Sequence, residues 1–216
     1  MVEKGAKRMK KLWIACLSML MVLGLMGCGT DNGKAEEKTP PAKTVAQAAN
    51  TDAAAAGDKI LVAYFSATGN TKQLAENTAK ALGADLYEIR PESPYTAEDL
   101  NYNDETTRAT VEQKNDGFRP SLADKNAPIA SYKTIILAYP IWWAQAPRIM
   151  DTFVESYDFT GKNMTAVCTS GGSDIGSSAD NLAKLTKGKA NWKPGKLFSS
   201  QAGADEIKAW YNGLGF

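Results

Sequence analysis

The sequence predicts an α/β fold in which a parallel sheet has helices on both of its faces. From residue 59 to residue 216, short apolar runs alternate with longer amphipathic segments, the order of strands and crossover helices in such a sheet. Two of the runs, 59–65 and 133–139, are almost continuously apolar, as strands buried on both faces are. The composition agrees, since 44% of the 216 residues are hydrophobic and 23% are charged, ordinary values for a folded protein.

The predicted elements follow one another along the whole of this region. Strands are predicted at residues 59–65, 85–90, 133–139 and 164–169, with a short fifth strand at 196–200. Helices are predicted at residues 72–82, 147–157, 178–185 and 205–211. The first helix has an apolar stripe at helical spacing and is followed by Gly83, a common helix terminator. The long polar segment 91–128 predicts one more helix, over residues 97–113.

The residues before this domain have the pattern of an export signal. Residues 1–11 contain five basic side chains and one acidic one, and residues 12–27 form an apolar run interrupted only by Ser18. A basic leader before an apolar segment is typical of a signal peptide. The apolar run has 16 residues, fewer than the roughly 20 that a transmembrane helix needs.

The apolar run ends in Leu25-Met26-Gly27-Cys28, which resembles the bacterial lipobox, where cleavage precedes a cysteine that becomes acylated. A plain signal peptide with an incidental cysteine is the alternative. Residues 29–58 contain no aromatic side chain and no apolar side chain larger than that of Val45. They therefore cannot bury enough apolar surface to fold. We therefore expect a lipoprotein signal peptide at 1–27, a disordered tether at 28–58 after lipidated Cys28, and a domain at 59–216. The lipid would hold this domain on the extracytoplasmic side of a bacterial cell membrane.

The composition also excludes several kinds of chemistry. The chain contains no histidine, which rules out a Ser-His-Asp triad, a Cys-His dyad and a histidine-ligated zinc ion, and we expect no metal site. A formal net charge of +1 gives no indication of nucleic-acid binding. Any reaction must therefore depend on carboxylates, amines, hydroxyls, a thiol or a cofactor.

A loop rich in hydroxyl groups stands between the first predicted strand and the first predicted helix. Backbone N–H groups at a helix start, together with the helix dipole, favour a bound anion, and the hydroxyl groups add hydrogen-bond donors without a cation. Simple capping of the helix is the alternative. The chain has neither G-x-x-x-x-G-K-[ST] nor G-x-G-x-x-G here, which argues against a nucleoside triphosphatase and a dinucleotide site. The candidate phosphate-binding residues are Ser66, Thr68, Gly69, Asn70 and Thr71.

Two further loops follow buried strands and should reach the same edge of the sheet. In the second loop, the adjacent tryptophans should point in different directions, so that one packs on the core and the other lines a cleft; both serving only the core is the alternative. In the third loop, glycines let the backbone approach a ligand; a merely flexible loop is the alternative. The candidate ligand-binding residues are Pro140, Ile141, Trp142, Trp143 and Ala144 in the second loop and Thr169, Ser170, Gly171, Gly172 and Ser173 in the third.

Together, the three loops describe a site for a phosphorylated planar molecule, and flavin mononucleotide (FMN) fits that description. The segments Ser-x-Thr-Gly-Asn-Thr, Tyr-Pro-Ile-Trp-Trp and Thr-Ser-Gly-Gly-Ser resemble those of bacterial flavodoxin-like proteins, from residue 59 to about 185. The resemblance implies a flavodoxin-like three-layer sandwich with a five-stranded parallel sheet in the order 2-1-3-4-5. It also implies FMN as cofactor, with the first loop on the phosphate and the other two loops on opposite sides of the ring.

The resemblance implies electron transfer to a redox partner protein or a small-molecule acceptor, and the lipid on Cys28 would tether this carrier to the membrane. No catalytic side chain is expected, because the flavin itself carries the electrons. Two alternatives remain open: an FMN-dependent NAD(P)H:quinone-type reductase, and a non-redox lipoprotein that binds another phosphorylated ligand. The sequence leaves open whether the protein is an enzyme.

Overall fold

The structure, a computed structural model, describes residues 58–216. The signal peptide expected at 1–27 and the lipidated Cys28 lie outside the described residues. Of the tether expected at 28–58, only Asp58 is described.

The core of the described region is a parallel sheet. Its strands are β1 (Ile60–Tyr64), β2 (Asp85–Glu88), β3 (Thr134–Pro140), β4 (Asn163–Thr169), β5 (Asn191–Trp192) and β6 (Lys196–Leu197). The strand order is β2-β1-β3-β4-β5, and β6 also pairs with β4. All five pairings are parallel. This arrangement confirms the predicted order 2-1-3-4-5.

The fifth position of the sheet is divided into two short strands. β5 pairs with the start of β4 and β6 pairs with its end, and the chain between them contains Pro194, which has no N–H group to donate to a strand pairing. The next residue, Gly195, lies so close to β4 that an added Cβ would come within 2.9 Å of the Ala166 carbonyl oxygen. The predicted fifth strand at 196–200 is therefore confirmed only over Lys196–Leu197.

Helices cover both faces of the sheet. They are α1 (Asn70–Leu82), α2 (Arg108–Lys114), α3 (Arg148–Ser156), α4 (Ser178–Leu185) and α5 (Ala204–Asn212), with a short 3₁₀ turn at Ile129–Ser131. Leu74 of α1 and Ile207 of α5 are buried in the core on one face. Phe153 of α3 and Leu182 of α4 are buried in the core on the other face. The three-layer α/β sandwich is thus confirmed.

The segment between β2 and β3 differs from the sequence prediction. The helix predicted over 97–113 is wrong in its first half, because only Arg108–Lys114 is helical. In the preceding turns, Asp104 Oδ1 accepts a hydrogen bond from the Thr106 N–H at 2.8 Å, and Asn101 Oδ1 accepts one from the Asn103 N–H at 3.2 Å. Short polar side chains that bind nearby N–H groups compete with helical hydrogen bonds, and this explains the late helix start.

Within residues 58–216, no helix combines the length and the apolar character needed to span a bilayer.

The close approach of Gly195 to β4 generates a prediction about stability. In Gly195→Ala the new methyl group would lie 2.9 Å from the Ala166 carbonyl oxygen and 2.8 Å from Ile175 Cδ1, and the backbone oxygen cannot move aside without disturbing β4. We expect the free energy of unfolding to fall by about 1–3 kcal/mol, the usual effect of overpacking, measured by urea denaturation.

Gly172→Ala is the matched control. Nothing lies within 4 Å of the position its Cβ would take, and Gly172 is an exposed loop residue whose φ lies outside the left-handed region. The control should change the free energy of unfolding by no more than about 0.5 kcal/mol. Equal stability of the two variants would show that the sheet edge does not need a glycine at residue 195.

Candidate functional site

A cavity of about 740 Å³ opens at the carboxyl ends of β1, β3 and β4. This volume is in the range of small-molecule and cofactor sites. The cavity brings together the three loops that the sequence singled out, and also a fourth segment after β6. The lining residues are Thr68, Asn70, Tyr102, Pro140, Ile141, Trp142, Trp143, Thr169, Ser170, Gly171, Gly172, Ser173, Phe198, Ser199 and Ser200.

The first loop presents part of its predicted set to the cavity. Thr68 and Asn70 line it, whereas Ser66, Gly69 and Thr71 do not. The Ser66 hydroxyl accepts a hydrogen bond from the Gly69 N–H at 3.1 Å, and Gly69 has a φ of +91°, which favours glycine. No side chain caps the start of α1. The simple capping alternative therefore does not account for this loop, and the first N–H groups of α1 remain available to a ligand.

Thr71 has a different role, because it joins the first loop to the third. Its hydroxyl lies 2.8 Å from the hydroxyl of Thr169, and this hydrogen bond is buried. The Thr169 carbonyl oxygen in turn accepts a hydrogen bond from the Ile141 N–H at 2.8 Å. Thr169 therefore connects all three loops, through its side chain on one side and its backbone on the other.

The two tryptophans of the second loop differ in their packing. Trp142 is half-buried, and its ring packs edge-on against Phe65 at 5.6 Å and Tyr95 at 5.2 Å between ring centroids. The Trp143 side chain is 42% exposed. Both tryptophans line the cavity, so the alternative that both serve only the core is excluded.

A tight turn carries these tryptophans. The N–H of Trp142 donates to the Gln145 carbonyl oxygen and the N–H of Gln145 donates to the Trp142 carbonyl oxygen, each at 2.9 Å. The two central residues, Trp143 and Ala144, have φ values of +47° and +60°. Two-residue turns of this kind usually contain Asn or Gly. A residue other than glycine in the left-handed backbone conformation costs about 1–3 kcal/mol. Ala144 does not line the cavity; its backbone is needed to complete the turn.

Polar side chains from two helices hold this turn. Gln113 of α2 donates from Nε2 to the Ala146 carbonyl oxygen at 3.0 Å and to the Trp142 carbonyl oxygen at 3.3 Å. Asn181 of α4 donates from Nδ2 to Gln145 Oε1 at 2.7 Å. These contacts offset the backbone strain and fix the direction of both tryptophans. Sequence reasoning missed Gln113, since nothing near it in the sequence marks a contact with a loop 29 residues away.

The third loop lines the cavity with all five of its predicted residues, from Thr169 to Ser173. The Ser170 hydroxyl accepts hydrogen bonds from the N–H groups of Gly172 at 3.1 Å and Ser173 at 2.8 Å. Because the oxygen accepts both, the hydroxyl proton is free to be donated. Nothing lies within 4 Å of where a Cβ would stand on Gly171 or Gly172, so the backbone is open to a ligand at both positions.

The electrostatic character of the cavity is unusual for a site that would hold an anion. None of its lining residues is Asp, Glu, Lys or Arg. Hydrogen-bond donors therefore replace ionic side chains on its walls. Among residues 58–216, no group of three or more carboxylates and thiols is placed to hold a metal ion.

The thiol nearest to the site does not take part in it. Cys168 is fully buried in β4, and its Sγ donates to the Lys196 carbonyl oxygen at 3.8 Å. Burial, with a smaller contribution from Asp174, raises the pKa of this thiol to about 12. It therefore stays protonated and unreactive at neutral pH.

Comparison with known proteins gives the same fold. A flavoprotein from Lactobacillus acidophilus, solved in complex with FMN, has a TM-score of 0.53 and 18% identity, covering 72% of this chain and 99% of its own. At that level of identity the likeness concerns the fold alone. No curated protein is significantly similar to this chain.

Two structures from Bacteroides species are much more similar. A protein from Bacteroides eggerthii that is named as a flavoprotein has 42% identity and a TM-score of 0.70, covering 74% of this chain and 99% of its own. A second, from Bacteroides uniformis, has 41% identity and a TM-score of 0.67, covering 72% and 99%. The model of the family described as Flavodoxin matches residues 59–214. From its sheet order, its three convergent loops and this match over most of its length, the chain is a member of the flavodoxin family.

Proposed function

We propose that the protein binds FMN in the cavity at the carboxyl edge of its sheet and acts as a membrane-tethered electron carrier. The observation that carries the proposal is the division of one cavity, in a domain of the flavodoxin family, into a hydroxyl-rich part and an aromatic part. A molecule with a phosphate at one end and a planar ring at the other matches both parts.

The first loop would hold the phosphate. Thr68 and Asn70 line the cavity, and Asn70 is the first residue of α1, so the uncapped N–H groups of the helix start would lie next to an anion bound there. The positive end of the helix dipole stabilises an anion there. Charge is therefore balanced by dipoles and hydrogen bonds, without a lysine or arginine on the cavity wall.

The second and third loops would hold the ring. Trp143 offers an exposed aromatic face, and stacking of aromatic rings supplies affinity through a large contact area. Gly171 and Gly172 line the same cavity, and their open backbone can bring N–H groups to the polar edge of a ring. The strained but well-supported turn at Trp143 fixes the spacing between these walls.

Bound FMN would supply reversible electron transfer, chemistry that no side chain of the chain provides. The chain itself contributes binding, orientation and access. The cavity walls contain no carboxylate or amine to act as an acid or a base, and the aromatic side chains Tyr102 (72% exposed) and Trp143 stand at its solvent side. A cofactor held firmly, with a partly open edge and no second catalytic group, suits a carrier of electrons.

The amino-terminal sequence supports the membrane part of the proposal. Acylation of Cys28, in Leu25-Met26-Gly27-Cys28, would place two or three acyl chains in the bilayer. Each buried methylene contributes about 0.8 kcal/mol, so two chains anchor a protein stably. A flexible tether from residue 28 to residue 58 would let the domain move about 30 Å from the membrane surface.

The phosphate assignment predicts the effect of an added carboxylate. Thr68→Glu places a negative charge beside the proposed phosphate position, and like charges brought together cost several kcal/mol. We expect the affinity for FMN to fall by about a hundredfold or more, measured by the change in flavin fluorescence on titration with the protein.

The control for Thr68→Glu is Ser156→Glu, which changes the net charge equally at the far end of α3, away from the cavity. This variant should bind FMN like the wild type. If Thr68→Glu also keeps wild-type affinity, the phosphate does not lie at the first loop. If the wild type binds another phosphorylated molecule but no FMN, the non-redox binding alternative is favoured.

The carrier assignment predicts how the bound flavin responds to nicotinamide nucleotides. No charged side chain lines the cavity to hold a second nucleotide. We therefore expect NADH and NADPH to leave the visible absorption of the bound flavin unchanged over minutes, while dithionite bleaches it. Rapid bleaching by either nucleotide, with turnover of a quinone, would favour the reductase alternative over the carrier.

The anchor assignment predicts where the protein is found after cell fractionation. Cys28→Ser removes the thiol that would be acylated, so the protein should move from the membrane fraction to the soluble fraction. Cys16→Ser, a serine substitution within the apolar run, should leave it in the membrane fraction. Membrane association that persists in Cys28→Ser would contradict lipidation at this residue.

A further inference from the structure

A fourth segment, which the sequence did not single out, lines the same cavity. It follows β6 and consists of Phe198, Ser199 and Ser200. We propose that this segment, here called the serine segment, binds the phosphate group of the ligand through its two hydroxyl groups. The proposal rests on the assignment of FMN to the cavity and adds to it a binding element from the last part of the chain.

The serine segment lies on the side of the sheet where α1 begins. Phe198 is buried in the same core as Leu74 of α1 and Ile207 of α5. Trp142, by contrast, packs against the core on the opposite face. The serine segment and the start of α1 therefore share one side of the cavity, where Thr68 and Asn70 also lie.

Backbone and side-chain hydrogen bonds fix the serine segment in place. The Phe198 N–H donates to the Cys168 carbonyl oxygen at 2.9 Å, and the buried Phe198 ring packs edge-on against Trp210 at 5.5 Å. Asn77 of α1 donates from Nδ2 to the carbonyl oxygens of Ser200 at 3.2 Å and Ala202 at 3.4 Å. The segment is thus tied to the helix whose N-terminus would hold the phosphate.

Both hydroxyl groups can donate to a ligand. The Ser199 oxygen accepts a hydrogen bond from the Gln201 N–H at 3.2 Å, which leaves its proton unused. The Ser200 hydroxyl has no hydrogen-bond partner within residues 58–216. A phosphate oxygen is a strong acceptor, and hydrogen bonds to it are stronger than those between neutral groups.

The surroundings favour an anion bound by neutral donors. The nearby amine of Lys196 is engaged elsewhere, because its Nζ lies 3.3 Å from Glu206 Oε1 and 4.5 Å from the centroid of the Phe198 ring, and Lys196 does not line the cavity. No carboxylate lines it either. An anion placed between Thr68 and Ser200 would meet hydroxyl and amide donors and no opposing charge.

The test compares FMN with riboflavin, which lacks the phosphate. In Ser199→Ala/Ser200→Ala, each lost hydrogen bond to a charged group should weaken binding about tenfold or more. Because the double variant loses two such bonds, we expect the Kd for FMN to rise by about a hundredfold or more while the Kd for riboflavin stays within twofold. Ser200→Ala alone removes no hydrogen bond within the described chain, so a folding defect cannot explain its effect. Gln201→Ala, a change in the same loop outside the cavity lining, is the control and should match the wild type.

The other outcomes each overturn the inference in a different way. Unchanged affinity for both ligands would show that the serine hydroxyls do not touch the ligand. Equal weakening for both would place them against the ring or the sugar-like chain instead of the phosphate. If riboflavin binds too weakly to compare, an unaltered ³¹P resonance of bound FMN in the double variant would overturn the inference, and a shifted one would support it. A wild-type protein that binds no FMN would remove the proposed function itself, and the inference with it.

Discussion

The parallel register of β1, β3 and β4 is the constraint on which the site depends. Tyr64 near the end of β1 pairs with Ala138, which in turn pairs with Val167, and Pro140 pairs with Thr169. The three strands therefore stop at one edge of the sheet, and the loops that follow them meet there. The hydrogen bonds of Thr169 to Thr71 and Ile141 then fix the loops relative to one another. Loops that are far apart in the sequence can form a single cavity only because the strands are aligned.

A second feature of the site is that much of its shape is set before any ligand enters. Trp143 and Ala144 both have a left-handed backbone conformation in their turn. Hydrogen bonds from Gln113 and Asn181 compensate for the backbone strain of this turn. The cavity combines such rigid walls with hydroxyl protons that no protein group uses. Since ordering a loop costs conformational entropy, walls that are already ordered leave more of the contact energy for the affinity of the ligand.

The sequence predicts the strands and loops of this site because their signals are local. Apolar runs identify β1, β3 and β4, and hydroxyls and glycines after them identify the loops. Other parts depend on contacts between distant residues. Nothing near Thr71 or Gln113 in the sequence indicates that Thr71 is buried against Thr169 or that Gln113 contacts the second loop. Similarly, helical periodicity does not reveal the turns in which Asp and Asn side chains bind nearby N–H groups, so that α2 begins only at Arg108. Ser199 and Ser200 follow a strand of only two residues, too short for its end to mark a loop, although their adjacent hydroxyls resemble those of the first loop.

In the proposed site, dipoles and hydroxyl groups at the start of α1 would bind the phosphate of a flavin nucleotide without help from a cation. The decisive measurement is a crystal structure of the domain grown with FMN. We expect electron density for the phosphate beside Thr68, Asn70 and the first N–H groups of α1, with the ring between Trp143 and the third loop. A phosphate found beside Tyr102 instead, or a cavity without FMN at saturating concentration, would rule this site out.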